Sequence, residues 1–243
     1  MFAIFKREVR SFFTSPIGYL IVGSFLLLNG LFLWVFKGDY NIFDYGFADL
    51  SNFFLLAPWI FIFLVPAITM KSFSEERKMG TLELLLIKPI SVWKLVLGKF
   101  WGAFLLCVIA VIPTIVYVFA ITDLGIITGN YDLGVVLGSY FGLLFLISCY
   151  TAIGIFASTL SDNQIIAFLV GILLCFIIFN GFDAASSLFP NGDTQQWIQA
   201  MGAKSHFDSI ARGVIDTRDL VYFISLTLLF WYLTFERLKQ LTR

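Results

Sequence analysis

The sequence predicts an all-α integral membrane protein. Six transmembrane helices are accompanied by an N-terminal interfacial amphipathic helix, a cytoplasmic helix between spans two and three, and short outer helices between spans five and six. Three observations carry the prediction. Of 243 residues, 59% are hydrophobic and only 13% charged, where soluble domains carry about 25% charged. The apolar residues gather into six runs, at 17–36, 53–70, 100–121, 133–160, 165–182 and 220–235, and a span needs about 20 residues. All 16 Lys/Arg and all 16 Asp/Glu fall outside those runs, as expected when a charge at mid-bilayer costs at least ~2.5 kcal/mol.

Basic residues set the orientation. Lys6, Arg7 and Arg10 precede the first run. Lys71, Arg77, Lys78, Lys88, Lys94 and Lys99 lie between the second and third, and Arg237, Lys239 and Arg243 follow the sixth. Those segments fall on one side of a six-span chain, which the positive-inside rule makes the cytoplasm, with both termini. The other side holds Lys37, Lys204, Arg212 and Arg218 among ten aspartates.

Residues 1–16 place Phe2, Phe5, Val9, Phe12 and Phe13 at helical spacing opposite Lys6, Arg7 and Arg10. Such a helix lies in the membrane interface and extends its cations toward anionic headgroups; Pro16 ends it. The alternative is a frayed cytoplasmic tail. The first run is not a signal peptide, because it has full span length and meets Lys37-Gly38-Asp39 without a small-residue cleavage site. Pro58, Pro66 and Pro113 fall inside spans, where kinks are tolerated.

Residues 71–99 read as short cytoplasmic helices. Ser72 and Glu75 have capping-box spacing, so a helix is expected to start at Ser72. Gly80 can break it with backbone angles closed to other residues. Thr81 can cap a second helix, Leu82 to Ile87, with Glu83 near its positive end. Lys88 and Pro89 stop it, and Ser91 can cap the helix leading into span three. The expected product is a rigid knob presenting leucines and charges to a partner's groove. The alternative is a charged loop that only anchors topology.

In the fourth run Gly134, Gly138 and Gly142 recur every four residues, with Gly154 and Ser158 beyond. In lipid, close backbone approach through small residues drives helix packing, so this face should meet another helix, of this chain or of a second copy. In the long outer segment 183–219, Phe207, Ile210, Ala211 and Val214 suggest a short helix resting at the outer interface, and Trp197 suits that depth. His206, the only histidine, reads as a surface residue. Cys107, Cys149 and Cys175 lie inside spans and read as packing residues, with neither a disulfide framework nor a metal site.

Several chemistries are missing. There are no intramembrane acids for a protease or an ion-coupled transporter. No Gly-rich Lys-Ser/Thr loop is present to hydrolyse ATP. If the chain moves anything, another subunit must supply the energy.

Glu76-Arg77-Lys78-Met79-Gly80-Thr81-Leu82-Glu83-Leu84-Leu85, followed by Lys88-Pro89-Ile90-Ser91 and Gly98-Lys99, resembles the cytoplasmic segment before span three of ABC-2-type transporter permeases. In that family it forms the coupling helix that docks on the ATP-hydrolysing subunit. The likeness covers the interfacial helix, six spans and long outer segment. His206-Phe207, Arg212-Gly213-Val214-Ile215-Asp216 and Arg218-Asp219-Leu220 are similar to the branch with gliding-motility and copper-processing transporters, and length places the chain nearest the gliding-motility members. The resemblance implies one permease domain over 1–243 in a bacterial inner membrane, with 1–16 the interfacial helix, 71–99 the coupling segment and 183–219 extracytoplasmic. It makes Glu76, Gly80, Thr81, Glu83 and Pro89 coupling residues, with Glu75, Arg77 and Lys88 as further contacts to the ATPase. It also implies two ATPase subunits carrying ATP and Mg, no cofactor on this chain, a second permease copy or a GldG-like membrane subunit, and no nucleic acid. The competing function is a non-transporting membrane scaffold that recruits cytoplasmic partners through 71–99; an enzyme is a distant third. An ATPase gene beside this one would separate the first two.

Overall fold

The computed structural model describes residues 1–87, 91–125, 131–189, 192–213 and 216–241. Among them all regular structure is helical, and six helical segments are long and apolar enough to cross a membrane: Pro16–Val35, Ser51–Lys78, Val92–Leu124, Leu133–Leu160, Gln164–Ser186 and Thr217–Leu241. Each contains or closely overlaps one of the six apolar runs.

Helix α1 (Phe2–Thr14) ends at Ser15, whose extended backbone admits Pro16 as the first residue of α2 (Pro16–Gly30). A π-helical turn, Leu31–Val35, completes the first span. Beyond it, α3 (Ile42–Tyr45) is capped by the Asn41 side chain, which accepts from the Phe43 N–H at 2.8 Å. Helix α4 (Ser51–Thr69) accommodates Pro58 and Pro66 without interruption. It runs through Met70 into α5 (Lys71–Lys78), so Ser72 caps nothing. The capping-box expectation fails because the span continues directly into α5, which leaves no free N-terminus to cap. After α6 (Thr81–Ile87), the Ser91 hydroxyl accepts from the Lys94 N–H at 3.4 Å and starts α7 (Val92–Val111), as its spacing suggested. Pro113 sits in a 3-10 turn, Ile112–Thr114, that joins α7 to α8 (Ile115–Leu124).

The central element is α9 (Leu133–Leu160), the most buried span. Around it lie α4, α7 and α10 (Gln164–Phe176). A π-helical turn (Ile177–Gly181) and α11 (Phe182–Ser186) finish the fifth span; α12 (Gly192–Gln199) and α13 (Ala203–Ala211) lie between the fifth and sixth spans, and α14 (Thr217–Leu241) is the last span, also packed on α9. Val214 and Ile215 lie outside the described residues.

The glycine face of α9 meets its own chain. A Cβ at Gly138 would stand 3.1 Å from the Ile210 carbonyl oxygen, and one at Gly142 3.0 Å from Ile210 Cγ2; Gly134 meets only Asp132. Helix α13 is therefore a strut folded onto α9, with Phe207 and Ile210, two of the apolar residues whose spacing suggested the helix, buried against the bundle. The small residues leave a groove that Ile210 fills, and the Ser139 hydroxyl donates to the Ala211 carbonyl at 3.1 Å. Gly154, lower on α9, faces Thr69 of α4. Trp197 is fully outside, at 74% exposure.

His206 is likewise not a plain surface residue. Its Nδ1 lies 2.6 Å from Asp219 Oδ1, its Nε2 lies 2.9 Å from the Ala200 carbonyl, and its ring stacks on Tyr222 at 4.0 Å. The fold brings α13 back against the start of α14, a pairing invisible to local spacing.

Candidate functional site

Between the second and third spans the chain makes a helix–turn–helix whose corner is Gly80. Its φ of +67° lies in the left-handed region, which strongly disfavours a β-branched residue. This matches the break that the sequence places there. The Met79 N–H donates to the Glu75 carbonyl and the Gly80 N–H to the Arg77 carbonyl, which closes α5, with Arg77 and Lys78 in its last turn beside the negative end of the helix. Thr81 begins α6, and its hydroxyl donates back to the Glu76 carbonyl at 3.3 Å. Glu83 lies in the first turn of α6. Lys88 and Pro89 lie outside the described residues.

One face of this corner is fixed from behind by a buried ion cluster. Lys99 of α7 is 3% exposed. Its Nζ donates to Glu76 at 2.9 Å, to Glu8 at 3.1 Å and to the Ser72 carbonyl at 2.6 Å, and sits 5.0 Å from the centre of the Phe73 ring. Arg7, half exposed, bridges Glu8 and Glu76 at 2.9 Å each. Two cations and two carboxylates thus tie α1, α5 and α7 together. Burial alone would raise the Glu8 carboxyl; Lys99 and Arg7 outweigh it and hold the group below its ordinary value. The other Glu76 oxygen, Oε2, is buried without a hydrogen-bond partner among the described residues.

Small residues let α1 come close enough for these contacts. A Cβ at Gly98 would stand 2.8 Å from Ile4 Cγ2, and one at Gly102 2.7 Å from Glu8 Cβ. Helix α1 is thus docked on α7, with Phe2 left outside at 74% exposure. A second tie runs from the next residue of α5, where Arg77 Nη1 donates to the Thr159 carbonyl at 3.0 Å, in the last turn of α9.

The sequence-predicted coupling residues consequently divide. Glu76 and Arg77 hold the corner against the bundle, Glu75 and Thr81 are half-buried, and Lys78, Gly80 and Glu83 stand exposed with Met79. Leu82, expected among the leucines offered to a partner, is buried at 4% exposure and anchors α6 instead. Sequence reasoning missed Glu8 and Lys99 as partners. A signal existed: Lys99 abuts the apolar run at 100–121, a position that demands a counter-charge, and Glu8 is the single acid on an otherwise basic helix.

A rigid, ion-paired corner with an exposed charged tip can transmit force between a partner at the tip and the helices behind it. Among its described residues there is no arrangement of nucleophile and base.

Residues 2–201 match the family model described as ABC-2 family transporter protein. No match to the chain was found among curated proteins.

Proposed function

Since this chain belongs to the ABC-2 transporter family and is a multi-pass membrane permease subunit, we propose that it couples ATP hydrolysis by a separate cytoplasmic ATPase to movement of its spans. The α5–α6 corner is the docking element. The observation that carries this reading is the combination of the left-handed turn at Gly80, which exposes Lys78, Met79 and Glu83, with the buried cluster that fixes the same corner to α1 and α7. A loop that only anchored topology would need its charges but neither the turn nor the ties. The corner and both chain ends then lie in the cytoplasm of a bacterial inner membrane, in agreement with the basic residues.

The functional complex holds two permease halves, from a second copy or a GldG-like membrane subunit, and two ATPases that carry the ATP and Mg. Within the family, the pattern around His206 and Arg212 resembles the branch that includes gliding-motility and copper-processing permeases, and of these we propose the gliding-motility role typified by GldF. In that role the complex exports a substrate or passes mechanical work to an extracytoplasmic system.

Reconstitution with a candidate ABC ATPase subunit from the same genome tests the reading. Gly80→Val should leave a folded, inserted permease that no longer stimulates ATP hydrolysis. A folded Gly80→Val protein with parental stimulation, together with a parental result for Glu83→Ala, would leave the scaffold reading in possession.

A further inference from the structure

At the end of the spans opposite the ion cluster, the connection between α2 and α4 folds over the bundle. Gly46, with φ +79°, turns the chain after α3, and Asp49 Oδ1 accepts the Ser51 N–H at 3.0 Å to start α4. Across from it, Asp132 Oδ1 accepts the Gly134 N–H at 2.8 Å and starts α9. Helix α13 closes the third side with Phe207 and Asp208. These elements enclose a half-open cavity of about 1000 Å³, the size of a site for a small organic molecule.

The walls select a ligand chemistry. Phe43, Phe47, Phe54 and Tyr131 face the space, and Phe43 and Phe47 stay 60% and 68% exposed, although they belong to a connection rather than a span. Asp49, Asp132 and Asp208 line the same space against one cation, Arg212. Arg212 Nε is engaged with the Asp208 carbonyl at 3.1 Å. The bonds that Asp49 and Asp132 accept from the Ser51 and Gly134 N–H groups use one carboxylate oxygen each, so the charge of both remains for another partner. Burial raises the Asp208 carboxyl, Lys204 and Arg212 offset this in part, and Asp183 adds to it. Aromatic faces and carboxylates both attract a cation, whereas an anion would meet three acids and a neutral lipid tail would use only the apolar walls.

We propose that this cavity binds a lipophilic organic cation, with its flat or branched apolar body against Phe43, Phe47 and Phe54 and its charged nitrogen toward Asp49 and Asp132. The proposal is independent of the ATPase, and its test contains none.

The probe is rhodamine 6G, a cationic aromatic dye, followed by fluorescence anisotropy against the protein in nanodiscs, with empty nanodiscs as blank. Carboxyfluorescein, an anionic dye of similar skeleton, is the counter-probe. Rhodamine 6G should bind saturably and carboxyfluorescein should not. The double variant Asp49→Asn/Asp132→Asn keeps an acceptor oxygen for the Ser51 and Gly134 N–H groups and should raise the rhodamine Kd roughly tenfold through loss of charge alone. Phe47→Ala, at a highly exposed position that does not support the fold, should weaken binding as well. Absence of saturable rhodamine binding, equal binding of the anionic dye, or an unchanged Kd in both variants would overturn the proposal. Should the double variant fail to fold, Phe47→Ala and the counter-probe decide.

Discussion

Replacing Lys99 by Met removes the cation at the centre of the ion cluster while keeping the length of the side chain. Lys99 Nζ contacts Glu8 and Glu76 at 3.1 and 2.9 Å, with a side chain only 2% exposed beside carboxylates 15% and 12% exposed. At an effective dielectric near 20, each contact is worth about 5 kcal/mol of direct Coulomb attraction, most of it offset by desolvation and by repulsion between the like charges. What the variant loses is compensation: two carboxylates are left facing each other, neutralised only by Arg7, which is half exposed and adds little. Breaking one partner out of a buried ion pair costs about 3–5 kcal/mol. For a chain of this size that corresponds to a fall on the order of 10 °C in the thermal midpoint. The assay is thermal unfolding in nanodiscs, with Trp fluorescence for the whole protein and hydrogen exchange over residues 2–14 for the docking of α1. Exchange in α1 should rise well before the bundle melts. Adding Glu8→Gln to Lys99→Met should recover part of the loss, since it removes the uncompensated charge. A Lys99→Met midpoint within a degree or two of the parent, or a further loss on adding Glu8→Gln, would refute the claim that this cluster holds the corner.

Three further outcomes follow from the same geometry. Because the folded Glu8 carboxyl sits below its ordinary value of 4.5, its contribution is complete above that pH and disappears as the pH falls through the lower folded value; hydrogen exchange of α1 should therefore accelerate on acidification below about pH 4.5, and should lose that dependence in Glu8→Gln. Gly138→Leu forces a side chain against the Ile210 carbonyl and Gly213 and should displace α13 at a cost of about 1–3 kcal/mol, read as lowered thermal stability and raised exchange over 203–211. Asp219→Asn removes the charge that faces His206 Nδ1 at 2.6 Å while keeping the shape. Exchange at the α13–α14 contact should rise in that variant and the α5–α6 corner should be untouched, as seen by exchange over 71–83.

The spans were legible because lipid imposes a one-dimensional rule: a charge is costly at any point along a run, so composition alone marks where the run must end. The Gly80 corner was legible for a similar local reason, since a glycine between two caps is read from its immediate neighbours. The helix start at Ser72 was misread because the capping signal is also local, and nothing near Ser72 reveals that α4 runs on through Met70. Glu8–Lys99 and His206–Asp219 could not be derived from spacing; the first pair is 91 residues apart, and the second joins elements whose approach depends on α13 folding onto α9. Gly138 and Gly142 announced a close approach without naming the partner, since any helix, from this chain or another, satisfies a small-residue groove.

The most direct test of the central claim is cross-linking from the tip of the corner. With Cys107, Cys149 and Cys175, all buried, replaced by Ala, a single cysteine is placed at Met79, 60% exposed at the α5–α6 turn, and separately at Trp197, 74% exposed at the other end of the bundle. Each is treated with a short thiol–amine cross-linker in membranes that also contain a candidate ABC ATPase subunit from the same genome. The account predicts a permease–ATPase adduct from position 79, modulated by ATP, and none from position 197. A protein that inserts and folds normally yet gives no adduct from 79, or gives it equally from 197, would contradict the assignment of this corner as the point where ATP hydrolysis is coupled to the membrane.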